Sequence, residues 1–297
     1  MMTPLVSVVV ATRNRAASLP EALSVHERCA TRLAWELVVV DNGSTDTTAE
    51  VLREFAGKTR IPFRAVSEPR TGLSCARNAG WRAARGELIA FTDDDCYPDV
   101  EFVDAIARCF ADRQVDYLGG RITLHDPDDA PVTIQLREEP LRIPPRSFVR
   151  AGLIHGANMA ARRHVLETLG GFDEMLGAGT RFPSEDLDFV SRAAAAGFEG
   201  GYDPRPVVAH HHRRSDPGEV EVLRHGYDVG RGAYYAKCLC DPRRRVMLWR
   251  WWIRKLPHTI AVALRSPRIR RQLAAELHGA IACVHEQANQ RGDGPAR

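Results

Sequence analysis

The most constraining feature of this 297-residue chain is a run of short apolar stretches, each followed by a polar cluster and then by a helical pattern. Val6 to Ala11 breaks into Thr12-Arg13-Asn14-Arg15, after which Ser18 is placed to cap a helix through about Cys29. Glu36 to Val40 ends in Asp41-Asn42-Gly43-Ser44-Thr45-Asp46 and leads into a helix to about Phe55. Phe63 to Ser67 reads as a third strand and Gly72 to Ala84 as a helix. Glu87 to Thr92 is a fourth strand that stops at Asp93-Asp94-Asp95. Strands that are apolar at nearly every position have no solvent face, so the pattern predicts an α/β chain with a Rossmann-like, mostly parallel central sheet and helices on both faces. Ligands of such sheets bind beyond the carboxyl ends of the strands, where the polar clusters at 12–15, 41–46 and 93–95 fall.

After residue 120 the pattern loosens. His125 to Pro145 is rich in Pro and Asp and reads as loop; Gly156 to Ala161 reads as a strand, Arg163 to Leu169 as a short helix, Asp186 to Ala196 as an amphipathic helix and Val207 to Ala209 as a last short strand. The remainder is predominantly helical. Ser266-Pro267 is a good helix start, with Leu273, Leu277, Ile281 and Val284 on one face to about Gln290. The expected organisation is a body at 1–215, divided near 120, and a helical extension at 216–297.

Composition narrows the class further. At 44% hydrophobic and 27% charged residues, the chain can bury a proper core. No apolar stretch approaches the roughly 20 residues that span a bilayer, and the amino terminus lacks a basic region followed by an apolar one. Seven scattered cysteines, without a CxxC pair, read as reduced thiols. A cytoplasmic protein is the expectation. Cys238 and Cys240 form a CxC with no second pair nearby, which argues against zinc.

The formal charge of +3 conceals an asymmetry, because Pro242 to Arg271 holds ten basic residues and no acidic one, leaving 31 basic against 38 acidic elsewhere. A basic segment on an acidic body suggests an anionic surface as partner. Between Val246 and Leu256, the residues Trp249, Trp252, Ile253 and Leu256 form one helical stripe flanked by Arg250 and Arg254, and Pro257 ends or kinks it. Aromatic and basic residues on one amphipathic helix suit a membrane interface. The competing readings are a helix that packs its tryptophans on the body, or one that packs on a second subunit to make a homodimer.

Three adjacent carboxylates at a strand end, Asp93 to Asp95, repel one another by several kcal/mol unless a cation compensates. A hard divalent ion, Mg²⁺ or Mn²⁺, would do so with oxygen ligands; a solvated acidic turn is the alternative. Asp41 suits the N–H edge of a base or a ribose, and equally an N-cap. Arg70 and Arg77 beside the glycine-opened helix at Gly72 suit a pyrophosphate, with surface salt bridges as the plainer reading. Glu185-Asp186 opens a helix, where the dipole favours negative charge, and Asp188 and Arg192, one turn apart, are placed to pair. His210-His211-His212 follows the last strand, with 210 and 212 on one side; a solvated basic turn running into Arg213-Arg214 is the alternative. Small residues at Gly156-Ala157-Asn158 allow close approach of a ligand to backbone, though Ala157 fits core packing equally. Trp81 reads as core.

These blocks carry a family resemblance. VSVVVATRNR at 6–15, VVVDNGSTD at 38–46, GLSCARNAG at 72–80, AFTDDDCYPD at 90–99, GANMAARRHVLETLGGFDE at 156–174 and SEDLDFVSRAAAAG at 184–197 resemble, in order and spacing, the family 2 glycosyltransferases of the GT-A fold. The resemblance covers about residues 5–212. It implies an inverting transferase that uses a nucleotide sugar, UDP-linked by family habit and GDP-linked as the second choice, and a divalent metal. By position, Asp186 resembles the catalytic base. Asp93 and Asp95 resemble the ends of the DxD metal motif, with His210, preferred, or His212 completing it; Cys96 stands where many relatives have a further acid. Thr12, Asn14, Arg15, Asp41, Gly43, Ser44, Arg70, Gly72, Arg77, Asn78 and Asp94 fall on the donor side, with the nucleotide half at about 1–120. Gly156, Ala157, Asn158 and Glu185 fall on the acceptor side. The segment GYDVGRGAYYAKCL at 226–239 resembles one found in transferases of cell-surface polysaccharide assembly, which points to a glycan or lipid-linked acceptor and attachment at the inner face of the cell membrane.

Two rival classes were weighed. A sugar-nucleotide nucleotidyltransferase should carry a glycine-rich loop after the first strand, and ATRNR has no glycine. A non-catalytic protein that binds nucleic acid or an anionic surface would leave the acids of the body unexplained, and no nucleic-acid partner is expected.

Overall fold

The computed structural model describes residues 3–292, with side chains described outside 256–265 and 290–292. The first third follows the expected alternation: β1 (Val6–Thr12), α1 (Leu19–Glu27), β2 (Trp35–Asp41), α2 (Thr48–Lys58), β3 (Phe63–Ser67), α3 (Leu73–Ala83) and β4 (Leu88–Asp93). Ser18 does stand at the N-cap of α1, but its side chain makes no capping bond; instead the N–H groups of Ser18 and Leu19 donate to the carbonyl of Arg15.

All pairings among these four strands are parallel. β1 lies between β2 and β4 with Thr12 opposite Asp41 and Ala11 opposite Asp93, so the two polar clusters are brought to one edge by register alone. Alternate residues feed two cores. Val9, Val38, Val40, Ile89 and Phe91 pack under α3 and later helices, whereas Val8, Val10, Leu37, Val39, Leu88 and Ala90 pack with Leu19, Leu23, Leu52 and Phe102 on the other face. The near-continuous apolar strands are explained by this two-sided burial.

The second half adds β5 (Cys96–Pro98), α4 (Phe102–Arg113), β6 (Tyr117–Leu124), β7 (Leu141–Ile143), β8 (Asn158–Arg162), α5 (Arg163–Leu169), α6 (Glu185–Ala196) and β9 (Gly200–His210). The strands join one sheet in the order β3-β2-β1-β4-β8-β6-β9-β5, with β7 on β9. Here β8 is antiparallel to both β4 and β6, while β6 and β9 are parallel. The sheet is thus parallel through its first half and mixed beyond β4. β6 and most of β9 are unheralded in the sequence, because Gly119-Gly120 interrupts one and Gly200-Gly201, Pro204 and Pro206 interrupt the other.

Three helices complete the chain: α7 (Pro217–Cys240), α8 (Pro242–Arg265) and α9 (Pro267–Gly292). α8 continues past Pro257 rather than ending there. α7 and α9 approach so closely that side chains are excluded at the crossing. A Cβ on Gly232 would lie 1.9 Å from the Glu276 carbonyl oxygen, and one on Gly279 would lie 2.0 Å from that of Val229. Ala233, Ala236, Ala275, Ala282 and Cys283 fill the contact with Leu176 and Phe182. Consequently the face of α9 that carries Leu273, Leu277, Ile281 and Val284 is the outward one, with Leu277 63% exposed.

α8 is held by charge. Arg244, buried on its first turn, donates to Asp188 Oδ1 at 2.7 Å, and Arg192 donates to Asp188 Oδ2 at 2.7 Å. Burial alone would raise the Asp188 carboxyl, but the two guanidinium groups outweigh it and hold it below the ordinary 3.8. This stabilisation is therefore present above the ordinary carboxylate value and is lost as pH falls through the depressed one. Asp188→Asn, which strands a buried arginine, is expected to lower the unfolding free energy by about 3–5 kcal/mol. Urea melts at neutral pH measure this, and a loss below about 1 kcal/mol would mean that the pair does not clamp α8 to α6.

Candidate active site

The carboxyl edge of the sheet gathers the predicted acids. Asp93 is the last residue of β4, and Asp94 and Asp95 form the turn into β5. β5 pairs antiparallel with the end of β9, which sets Cys96 opposite His210 and lets the His211 N–H donate to the Asp95 carbonyl. The repulsion within the triplet is relieved by two arginines and a histidine. Arg77 donates to Asp93 Oδ1 at 3.0 Å, Arg15 lies 3.5 Å from Asp94 and 3.9 Å from Asp95, and His210 Nε2 lies 3.4 Å from Asp95 Oδ1. Burial pushes Asp94 up to about 6, against the hydrogen bond from Thr12 and the charge of Arg15. Burial lowers His210, but the hydrogen bond and charge of Asp95 reverse that, so its net shift is upward.

The donor set fits a divalent ion. Asp95, Cys96 and His210 present ligand atoms within 4.8 Å of one another, and His210 Nδ1 is buried with no hydrogen-bond partner. Burial and the neighbouring Asp95 and Asp93 charges raise the Cys96 thiol well above its ordinary range, which keeps it protonated and leaves carboxylate and imidazole as the ligands. His212 is turned to other work. Its Nε2 meets the Ala130 carbonyl at 2.8 Å and its Nδ1 accepts from the Arg214 N–H at 3.0 Å, so both ring nitrogens are engaged and His210 alone of the two faces the acids.

Arg77 joins the two halves of the site. It is 2% exposed and bridges Asp93 to Glu185, donating to Glu185 Oε1 at 2.7 Å. Its guanidinium lines the cavity from between these two acids, both of which it already meets. Burial pushes Glu185 up to about 7 in spite of Arg77, with Asp186 adding to the rise. Glu185 is thus a buried partner of Arg77 at the cavity floor rather than an open acceptor-side group.

Beside it, Asp186 is fixed by backbone donors: the Gly156 N–H bonds Oδ2 at 2.7 Å and the Leu187 N–H bonds Oδ1 at 2.6 Å. Gly156 is required here for space, because a Cβ would stand 2.4 Å from an Arg77 nitrogen. Asp93, Arg77, His155, Gly156, Glu185 and Asp186 line a cavity of about 400 Å³ that Tyr227 and Arg231 of α7 help to close. His155, held below its ordinary value by burial, carries no local motif, whereas the two α7 residues fall in the segment at 226–239 without having been singled out there; their position in the fold reveals all three.

The other predicted donor residues divide into framework and surface. Thr12 is buried and donates to Asp94 Oδ2 at 2.6 Å, so both support the turn from beneath. Asn14, at φ +53°, accepts from the Thr45 N–H while its own N–H donates to Ser44 Oγ; Asp41 Oδ1 accepts from the Ser44 N–H at 3.0 Å. These bonds lock the loop after β1 to the Asp41–Asp46 turn, in which Gly43 takes φ +68°. The Gly72 N–H donates to Asn42 Oδ1 and opens α3. Arg70 is engaged by Glu68 and Glu174 while still 57% exposed, and Asn78 is engaged by Phe172, Glu174 and Trp81. On the acceptor side, Ala157 is buried core, and Asn158 uses its amide to tie the carbonyls of Arg121 and Pro206.

Comparison with known proteins agrees with this geometry. The family model for glycosyl transferase family 2 matches residues 7–170. Glycosyltransferase AglE of Haloferax volcanii is 26% identical over 277 residues, covering 88% of this chain and 86% of that protein. Among solved structures, the mannosyltransferase PcManGT of Pyrobaculum calidifontis, in complex with GDP-Man and Mn²⁺, superposes with a TM-score of 0.64 at 22% identity over 95% of this chain and 88% of that one. TarS 1–349 of S. aureus in complex with UDP gives 0.56 at 17% identity, covering 98% and 93%. At these identities the structures establish the GT-A fold, and the family model, which spans the strands and turns that build the cavity, shows that the chain belongs to the family 2 glycosyltransferases, enzymes that transfer sugars from nucleotide sugars.

Proposed function

We propose that this glycosyltransferase inverts the anomeric centre of its donor sugar, depends on a divalent metal, and transfers to a hydroxyl of a glycan or lipid-linked saccharide. The observation that carries the reading is that Asp93, the first acid of the DxD motif at the end of β4, and Asp186, in the first turn of α6, line the same cavity. An inverting displacement needs a carboxylate that takes the acceptor proton as the hydroxyl attacks. Asp186 has the required fixity. One backbone N–H orients each of its oxygens, and each oxygen retains a second lone pair for the acceptor.

Asp95 and His210, with Asp93, would hold Mn²⁺ or Mg²⁺. Bound there, such an ion offsets the negative charge that builds on a departing diphosphate. Asp41 and the locked loops at 12–15 and 41–46 supply the nucleoside side, within a donor half at about 1–120, and residues 121–215 supply the acceptor half. PcManGT binds GDP-Man and TarS binds UDP-GlcNAc, so both GDP- and UDP-linked donors belong in the first assay. Asp186→Asn is expected to lower turnover roughly 10²- to 10⁴-fold while the nucleotide still binds by calorimetry. Chelation by EDTA is expected to abolish turnover, with recovery on addition of Mn²⁺. Near-normal turnover of a folded Asp186→Asn enzyme would remove Asp186 from its role as base.

We propose further that residues 216–297 attach the enzyme peripherally to the inner face of the cell membrane through 242–271. No helix among the described residues is long and apolar enough to cross a bilayer. α8 divides its tryptophans: Trp251 stacks on Phe148 of the body, whereas Trp249 is 48% exposed and Ile253 70%, in line with exposed Val246. Leu256 of the expected stripe and Arg265 lie outside the described side chains. Arg250 and Arg254 flank the exposed stripe, and each cation near an anionic leaflet contributes about 1 kcal/mol. The wild-type chain is expected to float with vesicles of phosphatidylcholine and phosphatidylglycerol, less so as salt rises, and Trp249→Ala with Ile253→Ala is expected to leave it in the soluble fraction. A chain that does not float but sediments as a dimer would assign the stripe to a second subunit instead.

A further inference from the structure

A second hollow, of about 320 Å³, lies between α7 and the first turns of α9 and is lined by Glu221, Arg224, His225, Asp228, Arg268 and Arg271, together with Tyr227 and Arg231. Tyr227 and Arg231 also line the reaction cavity, so the two hollows share a wall. Arg231 is already satisfied, with Glu276 at 2.7 Å and Asp228 as a second partner. Those two acids therefore do little for the other arginines. Arg224, Arg268 and Arg271 have no hydrogen bond or ion pair among the described residues, which leaves Glu221 as the remaining acid against three uncompensated guanidinium groups.

These three cations are exposed to solvent around one hollow, where an anion would meet all of them. α9 begins Pro267-Arg268-Ile269-Arg270-Arg271 with no acid in its first turn, so its arginines stand at the positive end of the helix dipole, where an acid is the stabilising choice. A helix N-terminus with arginines that can fork onto oxygens is a site for phosphate. The carboxylates Asp93 to Asp95, which the donor reading uses, are not among the residues of this hollow.

We infer that this hollow binds the phosphate or diphosphate of the acceptor, so that the acceptor is a phosphate-linked saccharide whose hydroxyl lies in the reaction cavity while its anionic group crosses Tyr227 and Arg231 to Arg224, Arg268 and Arg271. This rests on the proposal that the reaction cavity receives a hydroxyl acceptor. It also sets a specificity, since a neutral glycan with the same terminal sugar lacks the anchoring group.

The test is calorimetric titration of inorganic pyrophosphate into the full chain, in EDTA and at constant ionic strength. Wild type is expected to bind one pyrophosphate per chain. Arg268→Gln with Arg271→Gln is expected to weaken it by about tenfold or more, the scale of one lost charge-assisted hydrogen bond, and Arg224→Gln to weaken it in the same direction. Asp93→Asn with Asp95→Asn is expected to leave it no weaker. Equal affinity in wild type and in the Arg268/Arg271 double variant, with both folded by circular dichroism, overturns the inference, as does the absence of binding in wild type. Vesicles of phosphatidylcholine and phosphatidylglycerol provide the second arm: if the double variant loses vesicle binding while pyrophosphate affinity is unchanged, the arginines read a bilayer and the acceptor site is refuted. Consumption of a nucleotide sugar by wild type is measured separately, so failure of the transferase reading shows there and failure of the anion site shows in the titration.

Discussion

Arg77 holds the site together. A guanidinium this deeply buried carries a large desolvation cost that only well-placed acids can offset, and it finds them at the end of β4 and the start of α6. The two acids belong to different jobs. Asp93 opens the DxD turn and Glu185 immediately precedes the candidate base, so one cation sets the distance between the donor side and the acceptor side. Loss of Arg77 would leave two carboxylates facing each other in a low dielectric, next to two more at Asp94 and Asp186. The crowding of acids at this edge is eased by the arginine that Asp93 and Glu185 share, although burial still pushes Glu185 up to about 7.

The same logic extends outward to the carboxyl-terminal helices. Asp188, two residues after Asp186 on α6, faces away from the cavity and receives Arg192 from its own helix and Arg244 from α8. α6 is therefore fixed at both ends of its first two turns by arginines, one beneath the cavity and one from the extension. The basic segment that looks uniform in sequence is divided by this arrangement. Arg244 is a buried strut, while Arg250 and Arg254 stay on the surface. A force on α8 has a short covalent and ionic route to the helix that carries Asp186.

Legibility followed burial and chain distance. β1 to β4 were readable because two-sided burial forces Val6–Thr12 and Trp35–Asp41 to be apolar at almost every position, and the polar clusters at their ends mark the site edge. β6 and the part of β9 before Val207 were not, since glycines and prolines break their pattern and pairing with neighbours, not propensity, holds them in the sheet. The family resemblance brought Asp93, Asp95, Asp186 and His210 to attention, but not the contacts that organise them. Arg77 and Asn78 stand in GLSCARNAG, and a sequence shows no distance from them to Glu185 or Phe172. His212 looks equivalent to His210 until the Ala130 carbonyl takes its ring. The stripe of Leu273, Leu277, Ile281 and Val284 shares one face, and α9 buries instead its glycine and alanine side because only small residues admit the close crossing with α7.

That inversion has a consequence for how the molecule meets a surface. Large apolar residues on α8 (Val246, Trp249, Ile253) and on α9 (Leu273, Leu277, Ile281, Val284) remain outside, whereas the small ones are consumed in packing. Scattered exposed leucines need no explanation, but periodic apolar stripes on consecutive basic helices do. The start of α9 also walls the hollow that adjoins the reaction cavity. On the proposed reading, the element that lies on an anionic surface is also the one that borders the acceptor side of the cavity. A lipid-linked acceptor has its phosphate at the level of the headgroups and its sugar above them, which is the order in which arginines, Tyr227 and Asp186 follow one another from α9 into the body.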